Sequence, residues 1–115
     1  MNMKVSNTII QSIERYGDSV QIITDDETIN TRAFVEELRY RDKVYIGGEY
    51  HKISKKEKYL YVGNPNYKLT EGKTIIKHRD NSYLVKSAEY YFVNDEVMYI
   101  WGILSLIKDD TDWIE

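Results

Sequence analysis

Two periods of apolar and polar positions run through the chain. Near the start, SNTIIQSIERYG (6–17) sets Ile9, Ile10, Ile13 and Tyr16 on one helical stripe. Ser6 or Asn7 is placed to cap its beginning, and Gly17 to end it in the left-handed conformation. The spacing predicts one short helix over 6–17. Beyond it the period shortens. SVQIIT (19–24) is rich in β-branched residues and predicts a strand, followed by a polar turn at DDETIN (25–30). TRAFVEELR (31–39) contains Glu and Leu that suit a helix. It is short, however, Phe34 and Val35 tolerate a strand, and its neighbours are strands, so it is read as one. Lys58 to Val62 alternates Tyr with Leu and Val, as a half-buried strand does. Gly63-Asn64-Pro65-Asn66 and Glu71-Gly72 have turn chemistry, and Pro65 does not belong in a sheet interior.

The last third carries the clearest pattern. Lys73 to Arg79, Ser82 to Val93 and Glu96 to Ile107 read as strands, separated by turns at Asp80-Asn81 and Asn94-Asp95. Together they predict a three-stranded antiparallel meander. In VMYIWGILSLI both alternating faces are apolar. Val97, Tyr99, Trp101 and Ile103 lie on one, and Met98, Ile100, Leu104 and Leu106 on the other. A strand of this kind is central or lies against a second surface. Gly102 in its middle suits a bend or bulge. The expected architecture is mainly β. It is a single domain, 1–115, built as a small antiparallel β-barrel of about six strands with one short N-terminal helix and a long loop or hairpin between two strands.

Composition narrows the chemistry. A chain of 115 residues that is 42% hydrophobic and 30% charged has the make-up of one globular domain with a modest core. It has no Cys, which excludes disulfides, thiol catalysis and zinc–thiolate sites. No apolar run approaches the roughly 20 residues that cross a bilayer, and MNMKVSNTIIQS lacks the apolar core of a secretory signal. The expectation is a cytoplasmic protein with no membrane partner. No phosphate-cradling loop or dinucleotide fingerprint is present, and His51 and His78, the two histidines, have no metal-ligand spacing. Ser54 lies three residues from His51, but a charged loop positions a nucleophile poorly. His51 and His78 are therefore read as ordinary exposed residues, and Asp25-Asp26-Glu27 and Asp109-Asp110 as solvated runs. No catalytic residue, metal site or cofactor is expected, and the chain is not read as an enzyme.

Charge singles out one segment. RYRDKVYIGGEYHKISKKEKY (39–59) holds seven Lys or Arg against three Asp or Glu, a charge of +4 that leaves −7 on the remainder of a chain whose net charge is −3. Within it, Lys43 to Ile46 and Glu49 to Ile53 flank Gly47-Gly48, a two-residue hairpin signal that sets Tyr45 near Tyr50. A segment of about 20 residues between barrel strands is long for a connection in a compact domain, and such segments are usually functional or disordered. It reads as a finger projecting from the barrel towards phosphates or an acidic partner. Four Tyr in the segment (Tyr40, Tyr45, Tyr50 and Tyr59) also allow base stacking by an OB-like single-strand-binding barrel. The tail DDTDWIE (109–115) is acidic, and Trp113 and Ile114 in it suit either a frayed end or an anchor.

Four stretches in this order resemble the small head-completion, or stopper, proteins of tailed phages and the related neck proteins of prophage-like elements in Gram-positive bacteria. They are SIERYGDSVQII, the segment 39–58, YLYVGNPNYKLTEGKTI, and NSYLVKSAEYYFVNDEVMYIWGIL with its V-x-x-A-E-Y and Y-I-W-G-I-L parts. The resemblance implies a structural head–tail connector. Copies would form a homo-oligomeric ring between an adaptor or portal-side connector and a tail terminator or tail tube protein. Double-stranded DNA would pass through that ring. The protein would occupy the bacterial host cytoplasm during assembly and then the virion neck. The long loops would close the channel, with Arg39, Arg41, Lys43, Tyr45, Gly47, Gly48, Tyr50, His51, Lys52, Lys55, Lys56 and Lys58 facing DNA. Met98, Ile100, Trp101, Leu104, Trp113 and Ile114 would meet neighbouring subunits or partners. A tail-completion or terminator protein of the same kind of particle is the nearest alternative.

Overall fold

The computed structural model describes residues 5–38, 43–52 and 58–107. Among these the chain forms one helix, α1 (Val5–Tyr16), and eight strands: β1 (Asp18–Ile23), β2 (Thr28–Leu38), β3 (Lys43–Ile46), β4 (Glu49–Lys52), β5 (Lys58–Gly63), β6 (Ile75–His78), β7 (Asn81–Val93) and β8 (Glu96–Ile107). Six strands close into an antiparallel barrel in the order β1-β2-β5-β8-β7-β6, while β3 and β4 form a separate two-stranded hairpin. The protein is 60% strand, so the expected mainly-β barrel with a short N-terminal helix is what the chain forms.

Closure depends on three pairings that hairpin turns do not provide. β1 meets β6 from Val20↔His78 to Ile23↔Ile75, β2 meets β5 from Ala33↔Gly63 to Leu38↔Lys58, and β5 meets β8 from Lys58↔Ser105 to Gly63↔Ile100. The β6-β7-β8 meander has the expected order. Its last turn holds Asn94 (φ 50°) and Asp95 (φ 66°) in the left-handed region, as a tight hairpin of this twist requires.

Strand parity sorts the side chains. Val20, Ile22, Ala33, Ile76, Tyr83, Val85, Ile100 and Leu104 fill the barrel. On β5 the Tyr face points inward and the Leu/Val face outward. Tyr61 is fully buried, and Tyr59 packs edge-on to Tyr83 with ring centroids 4.7 Å apart. Tyr61 lies over Gly63, where a Cβ would fall 2.5 Å from the phenol oxygen and 2.7 Å from the ring carbons. A glycine is needed there because the barrel interior spends that volume on an aromatic ring.

Several local expectations are corrected. Ser6 and Asn7 lie inside α1 rather than capping it, and the Ser6 hydroxyl instead donates to Glu96 Oε2 at 2.6 Å, tying the helix to the start of β8. Ile13 is buried, but Tyr16, expected on the apolar stripe, is 69% exposed at the last helical position. Gly17 is not left-handed. It ends the helix by close approach, since a Cβ there would meet Ile13 O at 2.6 Å and Ala33 N at 2.9 Å. The turn at 25–30 is shorter than expected, because β2 begins at Thr28. The bulge expected at Gly102 lies on the partner strand, where the register slips between Val85 and Ser87. Gly102 faces that slip, with room for a Cβ only 3.0 Å from Ser87 O.

The Tyr61 hydroxyl has no hydrogen-bond partner among the described residues although it is buried, and burial pushes its pKa upward. Two outcomes follow for the barrel interior. Gly63→Ala should cost about 1–3 kcal/mol by overpacking against the Tyr61 ring, measured by urea denaturation. Tyr61→Phe should be neutral or stabilising, because it removes a polar group that folding leaves unpaired. The phenol stays protonated in the fold, so its contribution holds below the unfolded value near 10 and is lost as pH rises above it. Tyr61→Phe should therefore unfold at higher alkaline pH than the wild type.

Candidate functional site

The basic segment is an inserted hairpin. β2 and β5 pair directly with each other, so everything between Leu38 and Lys58 is an excursion that the barrel does not need in order to close. Within it β3 and β4 pair in the register Lys43↔Lys52, Val44↔His51, Tyr45↔Tyr50 and Ile46↔Glu49. Gly47 (φ 62°) and Gly48 (φ 86°) form the two-residue turn in which both positions are left-handed. The alignment of Tyr45 with Tyr50 is the one expected from Gly-Gly.

The tip of this hairpin is exposed, but one side of it has a neighbour. A Cβ on Gly47 would lie 3.1 Å from Tyr91 Cδ1 and 3.7 Å from Trp101 Nε1, whereas a Cβ on Gly48 would meet nothing within 4 Å. One side of the turn thus rests on the outer wall of β7 and β8. That wall is a second apolar layer. Trp101 and Ile103 face away from the barrel interior yet are 3% and 9% exposed, with Leu38, Leu60, Val62, Tyr91 and Tyr99 packed against them. Tyr91 and Tyr99 are directly paired across the strands, their ring centroids 5.0 Å apart. Burial first, and then the neighbouring Tyr91, pushes the pKa of Tyr99 up.

The expected site residues fall into five groups. Lys43, Tyr45, Gly47, Gly48, Tyr50, His51 and Lys52 belong to the hairpin. Lys58 does not: it is the first residue of β5, half-buried in the barrel wall opposite Leu38 and Ser105. Arg39, Arg41, Lys55, Lys56, Trp113 and Ile114 lie outside the described residues. Among the proposed contact residues, Ile100 and Leu104 belong to the barrel core at 1% and 0% exposure, so no partner can reach them without opening the barrel. Met98 is also buried. Trp101 alone of the described contact residues lies on the outer layer.

Two features escaped the sequence pattern. Tyr90 and Phe92 form an exposed aromatic strip at the end of β7, their rings 6.2 Å apart, and Val93 beside them is exposed as well. Such a strip is invisible until the neighbouring residues are known to be covered. His78, expected to be exposed, is buried at the end of β6, and its Nε2 donates to Asp18 Oδ2 at 2.9 Å. Arg79 adds a looser contact to the same carboxylate at 3.7 Å. This cluster spans β1 and β6 and pins one of the three closing seams. A shallow groove of about 920 Å³ opens beside it, lined by Glu14, Arg32, Lys77 and Tyr67 among others. Its charges are mixed. Among the described residues no three metal-ligating side chains converge.

Comparison with protein-family models, with curated proteins and with solved structures finds no match for this chain.

The hydrogen bond from His78, reinforced by the charges of His78, Arg79 and Arg32, holds the Asp18 carboxyl below its ordinary 3.8 despite the opposing cost of burial. A carboxyl lowered in the fold contributes stability above its unfolded pKa and loses it as pH falls through the folded one. Asp18→Asn should accordingly flatten the acid limb of the stability curve below about pH 4. Thermal midpoints of both proteins across that range would test this, and parallel curves would exclude a role for the Asp18–His78 contact.

Proposed function

We propose that this protein is a ring-forming neck component of a tailed phage or prophage, a stopper whose inserted hairpins obstruct the DNA channel. The observation that carries this reading is the placement of the basic segment. Its centre is a β-hairpin inserted between two strands that already pair with each other, so it is an appendage to a complete barrel. An element that barrel closure does not require is available for work outside the barrel.

Charge supports the same reading. The segment 39–59 carries +4 on an otherwise acidic chain, with Asp42, Glu49 and Glu57 interspersed among its cations. Repeated around a ring, modest phosphate contacts add up without trapping DNA in transit. The acidic remainder keeps the rest of the surface off DNA. The partners of such a ring would be a portal-side connector, a tail terminator or tube protein, and double-stranded DNA. A channel obstruction needs no catalytic group and no cofactor.

Two measurements test the proposal. Native mass spectrometry and negative-stain microscopy should find rings of the purified protein, alone or on a portal–adaptor complex. Tight binding of oligonucleotides by a monomer, with affinity falling steeply as salt rises, would favour a base-stacking barrel instead. Second, replacing Val44 to Lys52 by a short linker should leave a folded barrel by circular dichroism, while filled heads carrying the variant leak DNA. A deletion that unfolds the domain would mean that the hairpin is part of the core.

A further inference from the structure

In the free chain, the turn of the same hairpin that the ring reading sends into the channel rests on two residues of the outer apolar layer, Tyr91 and Trp101. Trp101 and Ile103 face outward from β8, and the turn at Gly47 rests on Tyr91 and Trp101. The hairpin cannot both lie on this wall and project from it. If it leaves, Tyr91 and Trp101 lose that contact on a face that also holds Ile103, Tyr99, Leu60 and Val62. A contiguous apolar patch of that kind is a protein-interaction surface rather than a solvated one.

We infer that the outer face of β8 is a shared seat, held by the chain's own hairpin in the free subunit and by a second copy of this chain in the ring. Hairpin release and subunit addition are then one coupled event. The second copy is the occupant because the molecule carries a matching surface elsewhere. Tyr90, Phe92 and Val93 are 41%, 57% and 39% exposed at the far end of β7, and Phe92 and Val93 lie beside the β7–β8 turn, where a neighbour can approach them. A ring needs two different patches, one on each side of every subunit, so that each interface joins unlike surfaces. The covered seat and the exposed strip are two such patches. Because only one of them is open in the free chain, monomers do not polymerise until the hairpin is displaced. An equilibrium between the two hairpin positions is moved by whatever binds one of them better. This inference rests on the ring reading for its second occupant, and on the contacts of Gly47 for its first.

The absence of Cys makes the test direct. The double variant Gly47→Cys/Tyr91→Cys puts a thiol on each side of the turn–wall contact, where a Cβ on Gly47 lies 3.1 Å from the Tyr91 ring, so the pair should link readily only when the turn is seated. Gly48→Cys/Tyr91→Cys is the matched control. It bears the same left-handed strain, but its Cβ has nothing within 4 Å. In dilute monomer under mild oxidant, the first pair should link at least roughly tenfold faster than the second, read by intact mass. Equal rates would overturn the seated hairpin. The linked protein should then stay monomeric at concentrations where wild type forms rings, and reductant should restore assembly. Assembly that is indifferent to the link would overturn the coupling. Phe92→Asp, at an exposed position, should leave the cross-link unchanged and abolish rings, and rings from that variant would overturn the proposed pairing of strip with seat. If wild type and the reduced variant form no rings alone or on the portal complex, the ring reading fails and takes the second occupant with it. The cross-link rate would still decide whether the hairpin occupies the wall.

Discussion

Two rows of apolar side chains run along β8, and neither can be left to water. Ile100, Leu104 and Leu106 belong to one row, Tyr99, Trp101 and Ile103 to the other. The first row is covered by closing the sheet on itself, which requires β1 to find β6, β2 to find β5 and β5 to find β8 across long stretches of chain. Closure also pairs much of the sheet edge that would otherwise be a template for aggregation, although the β7–β8 hairpin runs on past its pairing with β6 at Leu84 and with β5 at Ile100. The second row lies outside that barrel and needs another cover. A large apolar side chain gains ~1.5–3 kcal/mol from burial, so an uncovered Trp101 and Ile103 would consume much of the stability of so small a domain. The inserted hairpin brings its turn onto this row. The fold is therefore two layers organised around one strand: a Tyr-lined interior and an outer aromatic wall.

This constraint gives the insertion its two properties. Because β2 and β5 pair without it, the hairpin can move or be lost while the barrel persists. Because its tip rests on Tyr91 and Trp101, it is not a free appendage either. The contact at the tip is small compared with the pairing that closes the barrel. Elements held by few contacts are the ones that open first, and moving parts are drawn from them.

Much of the barrel could be read from the pattern of residues. Turn chemistry at Asp80-Asn81 and Asn94-Asp95 set the ends of the last three strands within a residue or so, and Gly47-Gly48 set the hairpin register. Alternation, however, reports that two faces differ, not which of them is inside. On β5 the Tyr face fills the barrel and the Leu/Val face joins the outer wall, a choice made by neighbouring strands. The slip at Val85–Ser87 had no signal, because the extra residue on β7 is a lysine that disturbs no apolar pattern. The burial of His78 depends on Asp18, sixty positions away. Ile100 and Leu104 looked like contact residues only while the two faces of β8 could not be told apart. In each case local chemistry was legible and long-range pairing was not.

The same distinction bears on the basic segment. Its length and charge suggest a finger reaching outward, and both are local properties. The rest position of its tip is set by residues about 45 and 55 positions further along the chain, Tyr91 and Trp101. A segment rich in Lys and Arg that lies against an aromatic wall is in a different state from one standing in a channel. The free energy between the two is set mainly by how the wall is covered, not by the charges themselves. Phosphate attraction alone would have to offset the exposure of Trp101 and Ile103 in every subunit. In the proposed ring, a neighbour that covers the wall would remove that cost, which would make assembly rather than DNA the stronger lever on the position of the hairpin.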